Sequence, residues 1–379
     1  MFYSFLRVLA NIVIRLYYRR IYISGLENIP TDKPVMIASN HPNGFLEPII
    51  MACIWPRDLS FLVRGDLYDN KFLQPLLKAT NEIPIYRFKD GFASLRNNQK
   101  TIQTVVDQLK ASRHIIIFIE GGTEAVKYLR PFKKGMARMA YQATKSDESL
   151  DIQILPSGIN FTDGKKFRSD VFLNIGNPIS FKAYYQDGQL DEKRLLDVVT
   201  KDTFQSMRPL VFDEKERPQA LGKSCENLIG ELEKSDRIVQ KSNKFYNILE
   251  IINNYKQKNN NSLYPLENEM VKIKGKWYQL LLSLILAPLA LLALLFYLPS
   301  IFLGWLMAKM LVRENEFKSS VRASVFLGMG FLSVLMTSIW AIVTHSWVGL
   351  SLVVIVCGVG LWALLYVYSH IFERRYGSK

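Results

Sequence analysis

The sequence predicts an α/β protein in which a mixed sheet is covered by helices, followed by a helical transmembrane block. Between residues 24 and 185, short apolar runs alternate with helix-length segments, as in proteins built from βα units. The C-terminal part differs, because no charged side chain occurs from Trp277 to Ala308 or from Ala323 to Ser369. Each of these stretches is long enough to cross a hydrocarbon core of roughly 30 Å. We therefore expect an integral, multi-pass membrane protein.

Residues 1–23 have the pattern of an amphipathic helix. Polar side chains recur every three or four positions, which places them on one narrow helical face, and they are Ser4, Arg7, Asn11, Arg15 and Arg19. Apolar and aromatic residues fill the rest of the circumference. We expect a membrane-interface helix whose arginines point toward lipid head groups. An ordinary amphipathic helix that packs on its own domain is the alternative.

Residues 24–185 are predicted to form one domain around the sheet. Apolar runs bounded by turn-forming residues predict the strands, at Val35–Ser39, Leu59–Val63, Ile83–Tyr86, His114–Ile119, Ile152–Phe161 and Val171–Ile175. Helices are predicted at Leu67–Ala79, Phe92–Ala111 and Gly135–Thr144. Ligands of such sheets bind in the loops that leave the strand ends, so functional residues are expected there.

Residues 186–276 form a charged helical extension and linker in this prediction. Helices are expected over Asp191–Val199 and Leu221–Tyr255, and the polar tract Lys258–Asn261 is typical of a linker. The segment contains no recognisable chemistry, which favours packing on the domain or on a partner.

The predicted membrane region covers residues 277–379. Pro288 and Pro299 favour a hairpin or re-entrant element over residues 277–308. Two spans are expected at 323–344 and 348–369, with a turn around His345. Lysines and arginines flank both apolar stretches, so both chain ends and the domain are expected on the cytoplasmic face. The membrane is either a bacterial inner membrane or the endoplasmic reticulum.

The net charge of +14 first suggests a nucleic-acid partner. The sequence has no zinc-finger spacing and no basic helix with an aromatic reading face, so contact of Lys and Arg with anionic lipid is the better explanation. Three widely separated cysteines, Cys53, Cys225 and Cys357, predict neither a disulfide framework nor a metal site. We expect no nucleic acid, no metal and no cofactor.

His41 is the strongest candidate for chemistry among the four histidines. His345 and His370 belong to the membrane part, and His114 opens a strand that has the composition of a buried one. His41 follows a strand end, and Glu47 lies six positions later. A carboxylate that binds one imidazole nitrogen leaves the other free as a base. Since no nucleophilic Ser or Cys accompanies His41 by motif, direct attack by a substrate hydroxyl is the simplest scheme.

Further segments suggest anion and hydroxyl binding. The run Ile83–Arg87 ends in an arginine, whose guanidinium suits phosphate. The strand before Glu120 leads into Glu-Gly-Gly-Thr, where glycines allow close backbone approach and the carboxylate can accept from hydroxyls. Additional cations follow at Arg130, Lys133 and Lys134. Leu155-Pro156 lies in an apolar run, as expected for a pocket wall.

In this order, these segments resemble the motifs of the glycerolipid acyltransferases, which include lysophosphatidate and glycerol-3-phosphate acyltransferases. Asn-His followed by a carboxylate matches Asn40-His41 and Glu47, and an apolar run ending in Arg matches Ile83–Arg87. Phe-Pro-Glu-Gly-Thr-Arg matches Phe118, Glu120 and Gly121, and an apolar-Pro segment matches Leu155-Pro156. The resemblance covers roughly residues 20–180 and implies the glycerolipid acyltransferase fold.

The sequence departs from these motifs at several positions. The acid is Glu47 rather than Asp and lies one position later, so its longer side chain and Gly44 must restore the contact with His41. Gly122 is an extra glycine, and no arginine follows Thr123; Arg130 or Lys133 is the candidate to replace it. Ile119 stands where the family has proline.

The resemblance implies a phospholipid-synthesising O-acyltransferase. His41 is then the base and Glu47 orients it, while the substrate-binding group contains Arg87, Arg64, Lys133, Glu120, Gly121 and Pro156. Glu120 would hold either an acceptor hydroxyl or main-chain geometry. The favoured acceptor is lysophosphatidate, with glycerol 3-phosphate second, and the acyl donor is coenzyme A or carrier-protein thioester. The rival hypothesis is a catalytically weak, membrane-anchored lipid-binding or scaffold protein.

Overall fold

The computed structural model describes residues 2–44, 46–72, 74–86, 98–161, 164, 167–186, 191–211, 277–311 and 315–368. The chain divides into two units, and a mixed sheet forms the first of them. The strands in these ranges are β1 Arg20–Ser24, β2 Val35–Ser39, β3 Leu59–Arg64, β4 Glu82–Ile85, β5 His114–Phe118, β6 Gln153–Phe161, β7 Asp170–Ile175 and β8 Ile179–Ser180. Their order is β1-β7-β6-β2-β5-β3-β4, and β8 pairs with β6. The β6 strand runs antiparallel to β7 and β8, and the other pairings are parallel. This confirms the predicted mixed sheet.

Helices surround the sheet, as predicted. Their bounds are α1 Phe2–Tyr17, α2 Leu46–Ile54, α3 Gly65–Tyr68, α4 Gln74–Ala79, α5 Asn98–Lys110, α6 Gly135–Ser146, α7 Phe181–Gln186 and α8 Glu192–Met207. Where one helix is predicted over 67–79, the structure has the short helices α3 and α4. The predicted helix Leu221–Tyr255, the linker Lys258–Asn261 and residues 92–97 lie outside the described residues.

The two faces of the sheet have different coverings. Met36, Ala38, Ile115 and Ile117 pack with α5, α6 and α8 in the main hydrophobic core. Successive strand residues point to opposite faces, so His114 lies on the other face, where it accepts a hydrogen bond from the Trp55 indole just after α2. The α1 and α2 helices therefore belong to this second face.

The first helix is shorter than predicted, because it ends at Tyr17 rather than near residue 23. Arg20–Ser24 instead form β1, which pairs in parallel with Asp170–Asn174 of β7. Arg19, between the two elements, donates to the buried carboxylate of Asp170. Long-range pairing with β7 thus overrides the helical spacing of the polar residues.

Two polar side chains of α1, Arg7 and Asn11, point into the protein rather than toward head groups, which corrects the expectation for Arg7, while Ser4 and Arg15 are exposed. Arg7 donates to the carbonyls of Cys53 and Trp55, and Asn11 also donates to the Cys53 carbonyl. The last carbonyls of a helix such as α2 have no partner within the helix, so these side chains supply the missing donors. The opposite side of α1 is exposed and apolar, at Phe2, Phe5, Val8, Leu9 and Ile12.

The membrane unit contains helices α9 Trp277–Leu311, α10 Asn315–Val343 and α11 Trp347–Val367. Pro288 and Pro299 lie inside α9, so the predicted hairpin over 277–308 is wrong. A proline removes one hydrogen bond from a helix, whereas a chain reversal in an apolar environment leaves several backbone groups unpaired. The predicted turn is confirmed, since His345 has φ +51 and Ser346 caps α11 through the Gly349 N–H.

By length and composition, each of these three helices is a candidate membrane span. The apolar segments are Leu281–Met310, Val321–Val343 and Trp347–Val367. A π-helical stretch over Val354–Gly360 widens the middle of α11. The predicted spans 323–344 and 348–369 therefore correspond closely to α10 and α11.

Candidate active site

The site begins where β2 ends, and Asn40 fixes this end to β6. Its side-chain amide donates to the Ile159 carbonyl at 2.9 Å, and its side-chain oxygen accepts from the Ile159 N–H at 2.8 Å. These two bonds continue the pairing of β2 with β6 beyond Ser39 and Ser157, the last partners in the ladder. Asn40 thereby sets the direction in which the chain presents the next residue, His41.

The His41 ring is held on two sides. It stacks on Phe118 with a centroid separation of 4.0 Å and an interplanar angle of 15°. Its Nδ1 atom lies 3.2 Å from Oε2 of Glu47, and the side chain is 16% exposed. Nε2 makes no hydrogen bond to any residue in the described ranges. The ring is thus oriented by protein contacts while one nitrogen is left for another molecule.

Glu47 is buried in the first turn of α2. Burial raises its pKa, while the neighbouring His41 and the Asn43 N–H, which donates to Oε1, act in the opposite direction. Gly44 has φ +59, a left-handed conformation that glycine adopts without strain. This turn accommodates the additional residue between His41 and Glu47, so the longer spacing still brings the two side chains together.

This arrangement defines the chemistry available to His41. A carboxylate at Nδ1 favours the tautomer with the proton on that nitrogen, which leaves the Nε2 lone pair free. It also stabilises the imidazolium that forms when Nε2 accepts a proton. The geometry therefore permits general-base chemistry at Nε2.

The loop after β5 holds the backbone of His41. Oε2 of Glu120 accepts the His41 N–H at 3.2 Å, and the Glu124 N–H donates to the His41 carbonyl at 3.2 Å. In addition, the Ile119 N–H donates to the Ser39 carbonyl at 3.1 Å. Two neighbouring strand-end loops are thus joined at the histidine itself.

Arg130 is the main partner of Glu120, and sequence reasoning missed this pair. Its Nε and Nη2 atoms lie 3.1 and 2.7 Å from Oε2 of Glu120, and its backbone N–H donates to Oε1 at 3.0 Å. A buried glutamate is generally paired with a cation. The need of Glu120 for such a partner was the signal from which the pair could have been predicted. Of the two roles predicted for Glu120, these contacts correspond to holding main-chain geometry.

Gly121 and Lys133 lie side by side next to this pair. Gly121 has φ +73, and a Cβ at this position would approach Cγ of Lys133 to 2.9 Å. The Lys133 N–H donates to the Ile119 carbonyl at 2.9 Å. Its side chain is exposed, and within the described part of the chain its ammonium has no acidic partner. The stem of Lys133 therefore packs across the glycine and leaves its charge available to an anion.

The remaining predicted site residues lie at different depths. Pro156 is buried in β6 opposite Ala38 of β2, so it shapes the sheet beneath the loops. Arg64 is exposed at the end of β3, with β5 between β3 and β2. The carboxyl ends of parallel strands share one edge, so Arg64 and His41 are at the same edge. Arg87 lies outside the described residues.

The other histidines have different surroundings. His114 is buried, as predicted for a residue that opens an interior strand, and burial together with Arg57 lowers its pKa to about 4. His345 occupies the turn between α10 and α11, and His370 lies outside the described residues. Across the described ranges, no three His, Cys, Asp or Glu side chains cluster in a way that would hold a metal ion.

The oriented histidine at a strand end of a mixed α/β sheet is an arrangement suited to acid–base chemistry. Residues 20–160 match the family model described as Acyltransferase. This match identifies residues 20–160 as an acyltransferase domain, in agreement with the resemblance of its four motifs to those of the glycerolipid acyltransferases.

Curated proteins from two yeasts are similar to this chain. The chain is 32% identical over 118 residues to glycerol-3-phosphate O-acyltransferase 2 of Saccharomyces cerevisiae, an alignment that covers 30% of this chain and 16% of that protein. It is 19% identical over 289 residues to an uncharacterised acyltransferase of Schizosaccharomyces pombe, covering 54% and 42%. In both cases the aligned region spans less than half of the relative's own length.

Among solved structures, the 1-acyl-sn-glycerophosphate acyltransferase of Thermotoga maritima is similar to this chain with a TM-score of 0.38 and 18% identity. The alignment covers 54% of this chain and 78% of that structure.

Proposed function

We propose that this protein transfers a fatty acyl group from an acyl thioester to a hydroxyl of lysophosphatidate, producing phosphatidate. The central observation is the 3.2 Å contact between Nδ1 of His41 and Glu47, with Nε2 making no hydrogen bond to the residues that the structure describes. The match of residues 20–160 to the Acyltransferase family model supports acyl transfer as the reaction class.

In the proposed reaction, Nε2 of His41 accepts the proton of the acceptor hydroxyl while the oxygen attacks the thioester carbonyl. The tetrahedral intermediate then expels the thiolate, which takes the proton back from the imidazolium. An ester C–O bond replaces the thioester C–S bond, and one thiol leaves. Glu47 stabilises the transient imidazolium. General-base assistance of this kind accelerates a reaction by roughly 10²–10⁴-fold.

Basic side chains would bind the acceptor phosphate. We assign this role to Arg87, assisted by Arg64 or Lys133. The exposed ammonium of Lys133 beside Gly121, and the position of Arg64 at the same sheet edge as His41, support the assignment. The acyl donor would be acyl-coenzyme A or an acyl carrier protein.

Glycerol 3-phosphate is the second candidate acceptor. The observation in its favour is the 32% identity to a yeast protein named as a glycerol-3-phosphate O-acyltransferase. The two acceptors share the phosphate and a free hydroxyl, and they differ in the acyl chain that only lysophosphatidate brings.

The test is turnover of the purified full-length protein with each acceptor and each donor type, with products separated by mass spectrometry. We expect phosphatidate from lysophosphatidate at a higher kcat/KM than lysophosphatidate from glycerol 3-phosphate. His41→Ala should lower the rate by roughly 10²–10⁴-fold while melting behaviour and membrane extraction stay as in wild type. Lipid binding without turnover would instead support the scaffold hypothesis, and near-normal turnover of His41→Ala would exclude His41 as the base.

We also propose that the protein is an integral membrane enzyme whose acyltransferase domain works at the cytoplasmic face. The three apolar helices and the exposed apolar side of α1 support this location. Both the acceptor and the product are amphiphiles, and each acyl methylene buried in an apolar phase contributes about 0.8 kcal/mol. An enzyme at the interface therefore meets its substrate where the substrate already resides.

A further inference from the structure

Arg130 lies outside all four family segments, yet it is linked to the proposed base through one carboxylate. We infer that Arg130, acting through Glu120, positions His41 for proton transfer. The inference rests on the proposed role of His41 and adds a positioning residue to the same site.

Donors of the protein itself occupy most of the hydrogen-bonding capacity of Glu120. A carboxylate offers about four lone-pair sites. Oε1 accepts from the Arg130 N–H, and Oε2 accepts from Nε and Nη2 of Arg130 and from the His41 N–H. These four donors all belong to the protein, and Glu120 is only 6% exposed. Its function is therefore to join Arg130 to the backbone of His41.

Both backbone polar groups of His41 depend on this loop. Glu120 accepts from the His41 N–H, and the Glu124 N–H donates to the His41 carbonyl. Arg130 contacts both acids, because its Nη1 atom lies 3.5 Å from Oε2 of Glu124. Phe118 and Glu47 orient the ring, whereas the Glu120–Arg130 pair fixes the backbone from which the ring projects.

The additional glycine of the motif takes part in the same arrangement. Nη2 of Arg130 donates to the Gly122 carbonyl as well as to Glu120. A guanidinium presents several donors in a fixed fork, whereas a lysine ammonium on a flexible stem does not reproduce that geometry. Arg130 is therefore matched to the longer Glu-Gly-Gly-Thr loop, and lysine should replace it only in part.

The first test uses steady-state kinetics of the full-length protein with Arg130→Met, Arg130→Lys and the matched control Arg194→Met. Arg194 is 76% exposed on α8, remote in sequence from the site. A misplaced reacting group lowers the rate, so Arg130→Met should lower kcat roughly 10- to 100-fold while the acceptor KM stays within about threefold. Arg130→Lys should be intermediate. Unchanged kcat, or a large rise in acceptor KM alone, would overturn the inference.

The double variant Glu120→Gln with Arg130→Met covers the case in which Arg130→Met leaves a stranded buried carboxylate and does not fold. The glutamine oxygen can still accept from the His41 N–H without leaving a buried charge. If Arg130 acts through Glu120, the double variant should be at least as active as Arg130→Met. A double variant whose loss is the product of the two single losses contradicts action through Glu120.

A spectroscopic readout separates this inference from the proposed function. With ¹³C-labelled histidine in detergent micelles, the four histidines can be assigned by single replacements such as His41→Asn. We expect one sharp His41 ring signal in wild type and a broadened or doubled signal in Arg130→Met. An unchanged signal would refute the positioning role even if the protein is an acyltransferase. Absence of turnover in wild type would refute the proposed function and leave this measurement decisive for Arg130.

Discussion

Nδ1 of His41 lies 3.2 Å from Oε2 of Glu47, although five residues separate them in the chain. The left-handed turn at Gly44 allows α2 to begin soon enough to place Glu47 in its first turn. Glu47 thus contacts the histidine at a spacing one residue longer than that of the aspartate in the motif it resembles. The additional residue between His41 and Glu47 and the additional methylene of the glutamate side chain compensate each other.

Glu47→Gln should lower kcat without abolishing binding. The glutamine has a single side-chain oxygen for the two donors that Glu47 now serves, the Asn43 N–H and the His41 ring. It also lacks the charge that stabilises the imidazolium, so the loss should be a part of the roughly 10²–10⁴-fold available from general-base catalysis. Steady-state kinetics of Glu47→Gln, measured together with wild type and His41→Ala, give the size of this loss. A Glu47→Gln variant as active as wild type would show that the carboxylate is dispensable.

Gly121→Ala should impair acceptor binding more than Gly122→Ala. An alanine at φ +73 costs roughly 1–2 kcal/mol, and its Cβ would push against Cγ of Lys133. A Cβ at Gly122 meets nothing within 4 Å, which makes that variant the matched control. If Lys133 binds the phosphate, acceptor KM should rise roughly tenfold in Gly121→Ala and in Lys133→Met. Equal KM values for the two glycine variants would exclude this contact.

The free energy of unfolding should fall as the pH rises, because the Glu82 carboxyl is more readily protonated in the folded protein than in the unfolded chain. Burial raises the pKa of Glu82 to about 8 from its ordinary value of 4.5. Between these values the folded protein retains a proton that the unfolded chain releases, so the free energy of unfolding falls by up to about 1.4 kcal/mol per pH unit. Glu82→Gln should flatten this dependence and raise the melting temperature at pH 8. The exposed Glu27→Gln is the control, and parallel curves for all three proteins would contradict the prediction.

The turn at His345 should lie on the same membrane face as the beginning of α9. If α9 and α10 each cross once, two crossings separate these points. Three single crossings would also place the C-terminal end on the face opposite to the domain, in contrast to the expectation from the flanking charges that both ends are cytoplasmic. Lysines precede α9 at positions 272, 274 and 276 and favour the cytoplasmic face there. A His345→Cys variant without the native cysteines should therefore resist an impermeant maleimide in intact cells and react after lysis. Labelling in intact cells would mean that α9 begins and ends on the same face.

The exposed side of α1 should contact lipid. Spin labels at Phe5→Cys or Val8→Cys in a variant without the native cysteines should be more accessible to oxygen than to a water-soluble nickel complex in vesicles. Both native side chains are 62% exposed and apolar. A label at Lys110→Cys, exposed at the end of α5, is the aqueous control. Equal accessibility at Phe5 and Lys110 would show that α1 does not contact the bilayer.

The central strands could be predicted from local sequence. The β2, β3, β5, β6 and β7 strands are apolar and bounded by turn formers, so their burial and their approximate bounds are both visible in the pattern. The β1 strand is not, because residues 18–23 satisfy a helical spacing equally well. Its partner, Asp170–Asn174, lies far along the chain, and only that pairing decides between helix and strand.

Individual site residues were easier to predict than their connections. Rarity and position single out His41, and turn chemistry singles out Gly44 and Gly121. The bond between Glu120 and Arg130 joins residues ten apart on an irregular loop, where no periodicity predicts contact. The continuous α9 helix was not predicted, because a proline in the sequence shows where a helix loses a hydrogen bond. It does not show whether the chain reverses its direction there.

The orientation of the first helix, α1, has a practical consequence for engineering. In α1, Arg7 and Asn11 attach to α2 while Phe5 and Val8 face outward, so anchorage to the protein and affinity for the bilayer are encoded by separate residues. The outward set can be exchanged for polar residues to make the domain easier to handle in water. The inward set has to be kept, since deleting the helix outright would uncap α2, the same helix that carries Glu47.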